Sequence, residues 1–126
     1  MIISIGCDIV EHSLIKKLKW NSNAQLQKRC FSQKEIDLYN THKKSNFIPG
    51  RFAVKEAVLK CLGIGMEDGL SLKDIQTLQS KNGQPFIELF GEVKKRSDNL
   101  GITSWHVSIS HTKKNSIAYV IAEKIK

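Results

Sequence analysis

Residues Phe52–Gly63 read "FAVKEAVLKCLG", and what they form decides the fold. Phe52, Ala53, Val54, Ala57, Val58, Leu59, Cys61 and Leu62 leave little polar surface, the pattern of a helix buried on most sides. Pro49 suits its first turn and Gly63 its left-handed end. Lys55, Glu56 and Lys60 interrupt the apolar run. An ionised carboxylate in such surroundings is costly unless it is paired or coordinated, so Glu56 needs a reason to be there.

Upstream, "MIISIGCDIVEH" (1–12) opens as a β-branched run that suits a buried strand, interrupted by Gly6, with Asp8 and Glu11 marking its exit. "SLIKKLKW" (13–20) sets Leu14, Ile15 and Leu18 at helical spacing among lysines, a basic amphipathic helix that the polar "NSNAQLQ" (21–27) interrupts or continues. "FSQKEIDLYN" (31–40) carries Ser32 three residues before Glu35, a capping box for a short helix with Ile36 and Tyr39 on one side. "THKKSN" (41–46) is a basic loop.

Downstream of the central helix and the glycine-punctuated "GIGMEDG" (63–69), two strands are expected in "LSLKDIQTLQ" (70–79) and "PFIELF" (85–90). Asn82-Gly83 marks the hairpin between them. "GEVKKRSDNLG" (91–101) reads as a polar helix ending at Gly101. "SWHVSISHT" and "SIAYVIAEKI" alternate as strands around a turn at Lys113-Lys114-Asn115. Helices lie mostly in the first half and strands in the second. The expected class is α+β, a mostly antiparallel sheet packed against helices in a single domain spanning residues 1–126.

The 126 residues are 40% hydrophobic and carry a formal net charge of +8. That excess favours an anionic partner: nucleic acid, a membrane surface, an acidic protein or a phosphorylated small molecule. No apolar run approaches the roughly 20 residues of a membrane span. The start lacks a basic n-region and meets Asp8 too early for a signal peptide. A soluble, cytoplasmic protein is expected. Cys7, Cys30 and Cys61 show no ligand spacing, so reduced, buried thiols are expected in place of a zinc site.

Asp8, at a strand exit, can project into a cleft or serve a turn. Glu56 and Lys60 are four apart and share a helical face with Phe52; alone, they fit a surface salt bridge as well as a site. In "HVSISHT", Val107 and Ile109 face one way and Ser108 and Ser110 the other, with His111 and Thr112 at the strand's mouth. No G-x-S-x-G elbow accompanies the serines. His42, Lys43, Lys44 and Arg51 surround the start of the central helix, where cations and free N–H groups can hold phosphates or simply face water. Two acids with scattered cations suit a pyrophosphate–magnesium site, since Mg²⁺ is typically held by one or two carboxylates plus phosphates.

"IGCDIVE", "GRFAVKEAVLKCLG", "NGQP" and "VSISHT" together closely resemble the motifs of the 4′-phosphopantetheinyl transferases, in order and spacing along the whole chain. The likeness is greatest to the short holo-[acyl-carrier-protein] synthase branch. The resemblance implies that fold and transfer of the phosphopantetheine arm of coenzyme A to a serine of apo acyl carrier protein, supporting fatty acid biosynthesis. Adenosine 3′,5′-bisphosphate would leave. Asp8 and Glu56 would share Mg²⁺, Lys60 would stabilise developing charge, and Glu56 or a water on the metal would take the serine proton. Lys43, Lys44, Arg51, Ser110, His111 and Thr112 would bind coenzyme A. Lys16, Lys17, Lys28 and Arg29 would meet the acidic carrier, and a homotrimer would hold its sites between subunits. Leu14 stands where the family usually has Arg.

A basic, non-catalytic RNA-binding module is a rival reading. It requires aromatic side chains exposed together on strands for base stacking, with Trp105, Phe86, Phe90 and Tyr119 as the available candidates. A catalytically dead carrier-binding scaffold is a further rival, against which Asp8, Glu56 and Lys60 argue.

Overall fold

The computed structural model describes residues 1–65 and 69–125. In chain order these form β1 (Ile2–Glu11), α1 (His12–Lys17), a 3-10 turn (Trp20–Ser22), α2 (Ala24–Cys30) and α3 (Gln33–His42). There follow α4 (Phe47–Leu62), a 3-10 turn (Leu72–Asp74), β2 (Ile75–Gln79), β3 (Pro85–Leu89), α5 (Gly91–Asn99), β4 (Ser104–His111) and β5 (Asn115–Glu123). β1, β5 and β4 make an antiparallel sheet with β5 in the middle, and β2 and β3 form a separate hairpin. The α+β expectation holds.

The stretch 52–63 belongs to α4, which starts at Phe47, carries Pro49 in its first turn and stops at Gly63 with φ +69°. α4 lies against one face of the three-stranded sheet. Ala53, Val54, Ala57 and Val58 meet a sheet face whose Ala118, Val120 and Ala122 are equally shut off from solvent. Burying a side chain such as Val54 is worth about 1.5–3 kcal/mol. The strand-helix crossing is close at Gly6, where a Cβ would run into the Ala57 carbonyl and lie 2.9 Å from Cys61 Sγ. Only glycine lets β1 approach α4 this closely. Asp8, two residues on, shares the helix-facing side of the strand with Gly6 and Val10.

Three local expectations are corrected. Asp8 does not follow the first strand: β1 runs on to Glu11, and Asp8 pairs with Ala118 inside the ladder. The basic helix is only six residues long, and of its three apolar positions Ile15 alone is buried, Leu14 and Leu18 being exposed. Lys19 turns left-handed at φ 51°, and the chain dives so that Trp20 packs edge-on against Phe31 at 4.9 Å. Finally, β2 begins at Ile75, because Leu72–Asp74 coil into the 3-10 turn. The capping box at Ser32 and Glu35, the Asn82-Gly83 hairpin and the β4–β5 turn form as expected, although Asn115 already belongs to β5.

Lys55 plays a part the sequence reading did not give it. It is fully buried, and its ammonium donates to Glu35 Oε1 at 2.8 Å, the Leu72 carbonyl at 3.0 Å and the Ile75 carbonyl. All three of its protons are used. The Glu35 carboxylate also accepts from the Ser32 and Thr77 backbone N–H groups, both at 3.0 Å. One buried pair thus ties α3, α4 and the β2–β3 hairpin together.

All three cysteines are free thiols, with Cys30 and Cys61 buried and Cys7 half-buried. No described helix is long and apolar enough to cross a membrane.

Candidate active site

The close crossing of β1 over α4 assembles the first half of the site. Lys60 Nζ lies 3.1 Å from Asp8 Oδ1 and 3.0 Å from the Cys7 carbonyl oxygen, 52–53 positions away in sequence. The i,i+4 salt bridge open to Glu56 and Lys60 does not form: Lys60 bonds Asp8, and Glu56 makes no hydrogen bond or ion pair with a described residue. Partial burial pushes the Glu56 carboxyl above the usual carboxylate range, Asp8's charge adds to that, and Lys60 opposes it. Asp8, Glu56, Ile9, Leu14, Lys17 and Phe52 contribute to the lining of one cleft of about 390 Å³. Its lining combines acidic and apolar side chains.

Two carboxylates lining one cleft, one of them raised by burial and then by the other's charge, form a donor set that a hard cation relieves. No group of three or more His, Cys, Asp or Glu side chains able to hold a metal exists among the described residues. Two carboxylates are the share of Mg²⁺ coordination that a protein supplies where water and phosphate fill the remaining positions. A site that encloses its metal in protein ligands would need more.

The second half lies elsewhere. His42, Lys44, Arg51 and His111 line a cleft of about 210 Å³ with Phe47 and Gln79. Arg51 is only 6% exposed, its guanidinium sits 4.2 Å over the Phe47 ring, and its Nε and Nη2 have no hydrogen-bond partner. Burial lowers its pKa. A buried guanidinium without an anion is an open binding demand. His111 reaches this cleft because Gly50 leaves room for its ring; a Cβ there would stand 2.8 Å from His111 Cε1.

The other expected site residues are distributed unevenly. Lys43 caps α3 in a left-handed conformation (φ 48°) and does not line the cleft that Lys44 lines. Ser110 is exposed on the sheet face away from α4, opposite to Ile109. The Thr112 hydroxyl oxygen accepts from the Lys114 and Asn115 N–H groups and closes the turn. Lys17 borders the carboxylate cleft, Lys16 a neighbouring basic groove, and Lys28 and Arg29 stand exposed in the last turn of α2. Sequence reasoning missed Ser116 and His12, which bond His111 in a chain, and Gln79; none belongs to a motif.

The two clefts share no lining residue. Arg51 and Glu56 are five positions apart, about 140° around the helix axis, so they address different sides of α4. One chain holds two separate clefts. The strand-borne aromatics are not exposed together: Phe86 and Trp105 border one small cleft, but Trp105 is half-buried and donates its N–H to Ser97, and Tyr119 lies on the sheet face away from α4.

Residues 4–120 match the family model of the 4′-phosphopantetheinyl transferase superfamily. The holo-[acyl-carrier-protein] synthase of Clostridium botulinum is 44% identical over 126 residues, covering 99% of this chain and 100% of the relative. A Plasmodium yoelii acyl carrier protein synthase structure with ADP bound superposes with a TM-score of 0.89 at 31% identity, covering 100% of this chain and 98% of that one. The Helicobacter pylori holo-[acyl-carrier-protein] synthase in complex with coenzyme A gives 0.81 at 36% identity, covering 94% and 99%. With its full-length match in sequence and in fold, the chain belongs to the 4′-phosphopantetheinyl transferase superfamily, an enzyme family, in its holo-[acyl-carrier-protein] synthase branch.

Proposed function

We propose that the chain transfers the 4′-phosphopantetheine arm of coenzyme A to a serine of an apo acyl carrier protein and releases adenosine 3′,5′-bisphosphate. The observation that carries this reading is the presence of a two-carboxylate cleft and a separate cleft around an unpartnered, buried guanidinium. A pyrophosphate joined to a phosphorylated nucleoside needs both kinds of site. Asp8 and Glu56 would hold Mg²⁺. When bound, the ion draws electron density from the pyrophosphate and offsets the charge that builds on it.

The serine oxygen attacks the β-phosphorus and forms the new P–O bond. The bond from that phosphorus to the bridging oxygen breaks, and its electron pair leaves with adenosine 3′,5′-bisphosphate. Glu56 or a water on the metal would accept the serine proton. Lys60, paired with Asp8, would stabilise the charge that grows on the leaving oxygen. Lys44, Arg51 and His111 bind the nucleotide phosphates, with Lys43 in support.

Because the clefts address different sides of α4, the complete site is assigned to an interface, the carboxylate cleft of one copy meeting the basic cleft of the next in a homotrimer. The sheet face away from α4 supports assembly, since Ile5, Ile9, Tyr119 and Ile121 lie exposed on it. Lys16, Lys17, Lys28 and Arg29 would steer the acidic carrier, and the apolar lining residues Leu14 and Phe52 would meet it at the site. The reaction is assigned to the cytoplasm, as a supply of loaded carrier for fatty acid biosynthesis. The test is the intact mass of apo carrier after incubation with the protein, coenzyme A and Mg²⁺. Addition of one phosphopantetheine supports the reading, and an unchanged carrier overturns it.

A further inference from the structure

We propose that His12 acts through Ser116 as a positioning residue that sets which nitrogen of His111 carries its proton, so that a neutral His111 offers Nε2–H to coenzyme A phosphate. The inference rests on the phosphate-binding reading of the Arg51 cleft and adds two residues to it.

The geometry is a chain of three groups. His12 Nδ1 lies 3.0 Å from the Lys113 carbonyl oxygen and His12 Nε2 2.8 Å from Ser116 Oγ. Ser116 Oγ lies 2.7 Å from His111 Nδ1. Ser116 is fully buried, while His111 Nε2 forms no hydrogen bond with another described residue. A carbonyl oxygen only accepts, so His12 Nδ1 carries a hydrogen in every state of the chain.

That anchor fixes the rest. With His12 neutral, its Nε2 accepts from the Ser116 hydroxyl, Ser116 accepts from His111 Nδ1–H, and His111 Nε2 is left with a lone pair. Such a nitrogen cannot donate to a phosphate. When His12 gains a proton, its Nε2–H donates to Ser116, the hydroxyl turns to donate to His111 Nδ1, and the His111 proton moves to Nε2. A donor then appears at the phosphate cleft, while the positive charge stays on His12.

The surroundings of His111 disfavour a charge on that ring. His111 faces Arg51, His42 and Lys44, and its pKa is lowered by partial burial, then by His12 and by Arg51. A second full charge beside a buried guanidinium is unfavourable. Around His12 stand Lys16, Lys19, Lys44, Lys113 and Lys114, with Glu11 as the acid. Those five lysines outnumber Glu11 and oppose a charge on His12, so the division is assigned to the complex, where the phosphates of coenzyme A offset them.

The experiment is nitrogen NMR of the histidine rings in the full chain, with and without coenzyme A, across about pH 5 to 8. In the complex, the wild type should show His12 as imidazolium and His111 as the neutral Nε2–H tautomer. In Ser116→Ala the His111 ring state should no longer follow the protonation of His12. The variant's affinity for coenzyme A should fall about 3- to 10-fold, the size of one lost hydrogen bond, with kcat and the carrier KM held. A wild-type complex with His111 as imidazolium and His12 neutral would overturn the relay, as would unchanged ring states in Ser116→Ala. If the wild type fails to bind coenzyme A, the phosphate reading of the cleft falls; the free-protein titration then decides the relay alone, by whether protonation of His12 changes the His111 tautomer in the wild type and not in Ser116→Ala.

Discussion

Lys60 Nζ stands 3.1 Å from Asp8 Oδ1, while Glu56, one turn back on the same helical face, bonds no described residue. The lysine is therefore positioned by a strand 52 residues away and not by its helical neighbour. It remains 58% exposed, which frees it to serve substrate rather than the fold. Lys60→Met should lower kcat and kcat/KM together by about 10²- to 10³-fold, as for loss of one preorganised donor. Its unfolding free energy should stay within about 0.5 kcal/mol of wild type. Steady-state kinetics beside a denaturant melt check both halves.

Glu56 should cost stability in the metal-free protein. Its folded pKa is raised, first by burial and then by Asp8, so the folded state binds the proton more tightly than the unfolded chain. The associated stability is fully present below the unfolded pKa and is lost as pH rises through the folded one. At neutral pH without metal, Glu56→Gln should raise Tm by about 1–3 °C, and the gain should vanish in acid. Added Mg²⁺ should then raise the Tm of wild type and not that of the variant. Calorimetric scans with a chelator and with Mg²⁺ decide it; an equal Mg²⁺ response would remove Glu56 from the metal.

Lys55, one position before Glu56, should behave in the opposite way. Its ammonium is fully buried on Glu35 and two carbonyls, so Lys55→Met leaves the Glu35 carboxylate buried without its cation. A loss of about 3–5 kcal/mol is expected. Any activity that survives should show an unchanged KM. A stable but inactive Lys55→Met would move this residue from the framework into the chemistry.

The two loop lysines should separate. Lys44 lines the Arg51 cleft and Lys43 does not, so Lys44→Met should raise the KM for coenzyme A several-fold more than Lys43→Met, with kcat nearly unchanged for both. Added salt should narrow the difference, because both charges are exposed. Equal effects of the two substitutions would contradict the cleft assignment.

Much of this fold was legible because local chemistry and tertiary contacts agree. Pro49, Gly63, the Ser32–Glu35 box and Asn82-Gly83 each mark an element end through local sterics or local hydrogen bonds. The failures occur where a distant contact overrides the pattern. Burial of Trp20 ends α1 after six residues in spite of a helical run of leucines and lysines. The partnership of β1 with β5 carries the strand past Asp8, whose charge had looked like an exit. Spacing placed Glu56 and Lys60 on one face, yet only the crossing at Gly6 selects Asp8 as the lysine's partner. The burial of Lys55 was unreadable, since its partner Glu35 lies 20 positions away in a capping box that already explained that acid. His12 and Ser116 were unreadable for the same reason: 104 positions separate them.

The central claim is that one chain carries two half-sites that work only when different copies bring them together. Subunit complementation tests it most directly. Asp8→Asn removes the carboxylate half, and Arg51→Ala removes the basic half. Each variant should be inactive when assembled alone. Co-expressed as mixed oligomers, they should regain transfer of phosphopantetheine to apo carrier, because some interfaces then combine an intact Asp8 with an intact Arg51. Mixed oligomers that form, as judged by two purification tags, but remain as inactive as either parent would contradict the account.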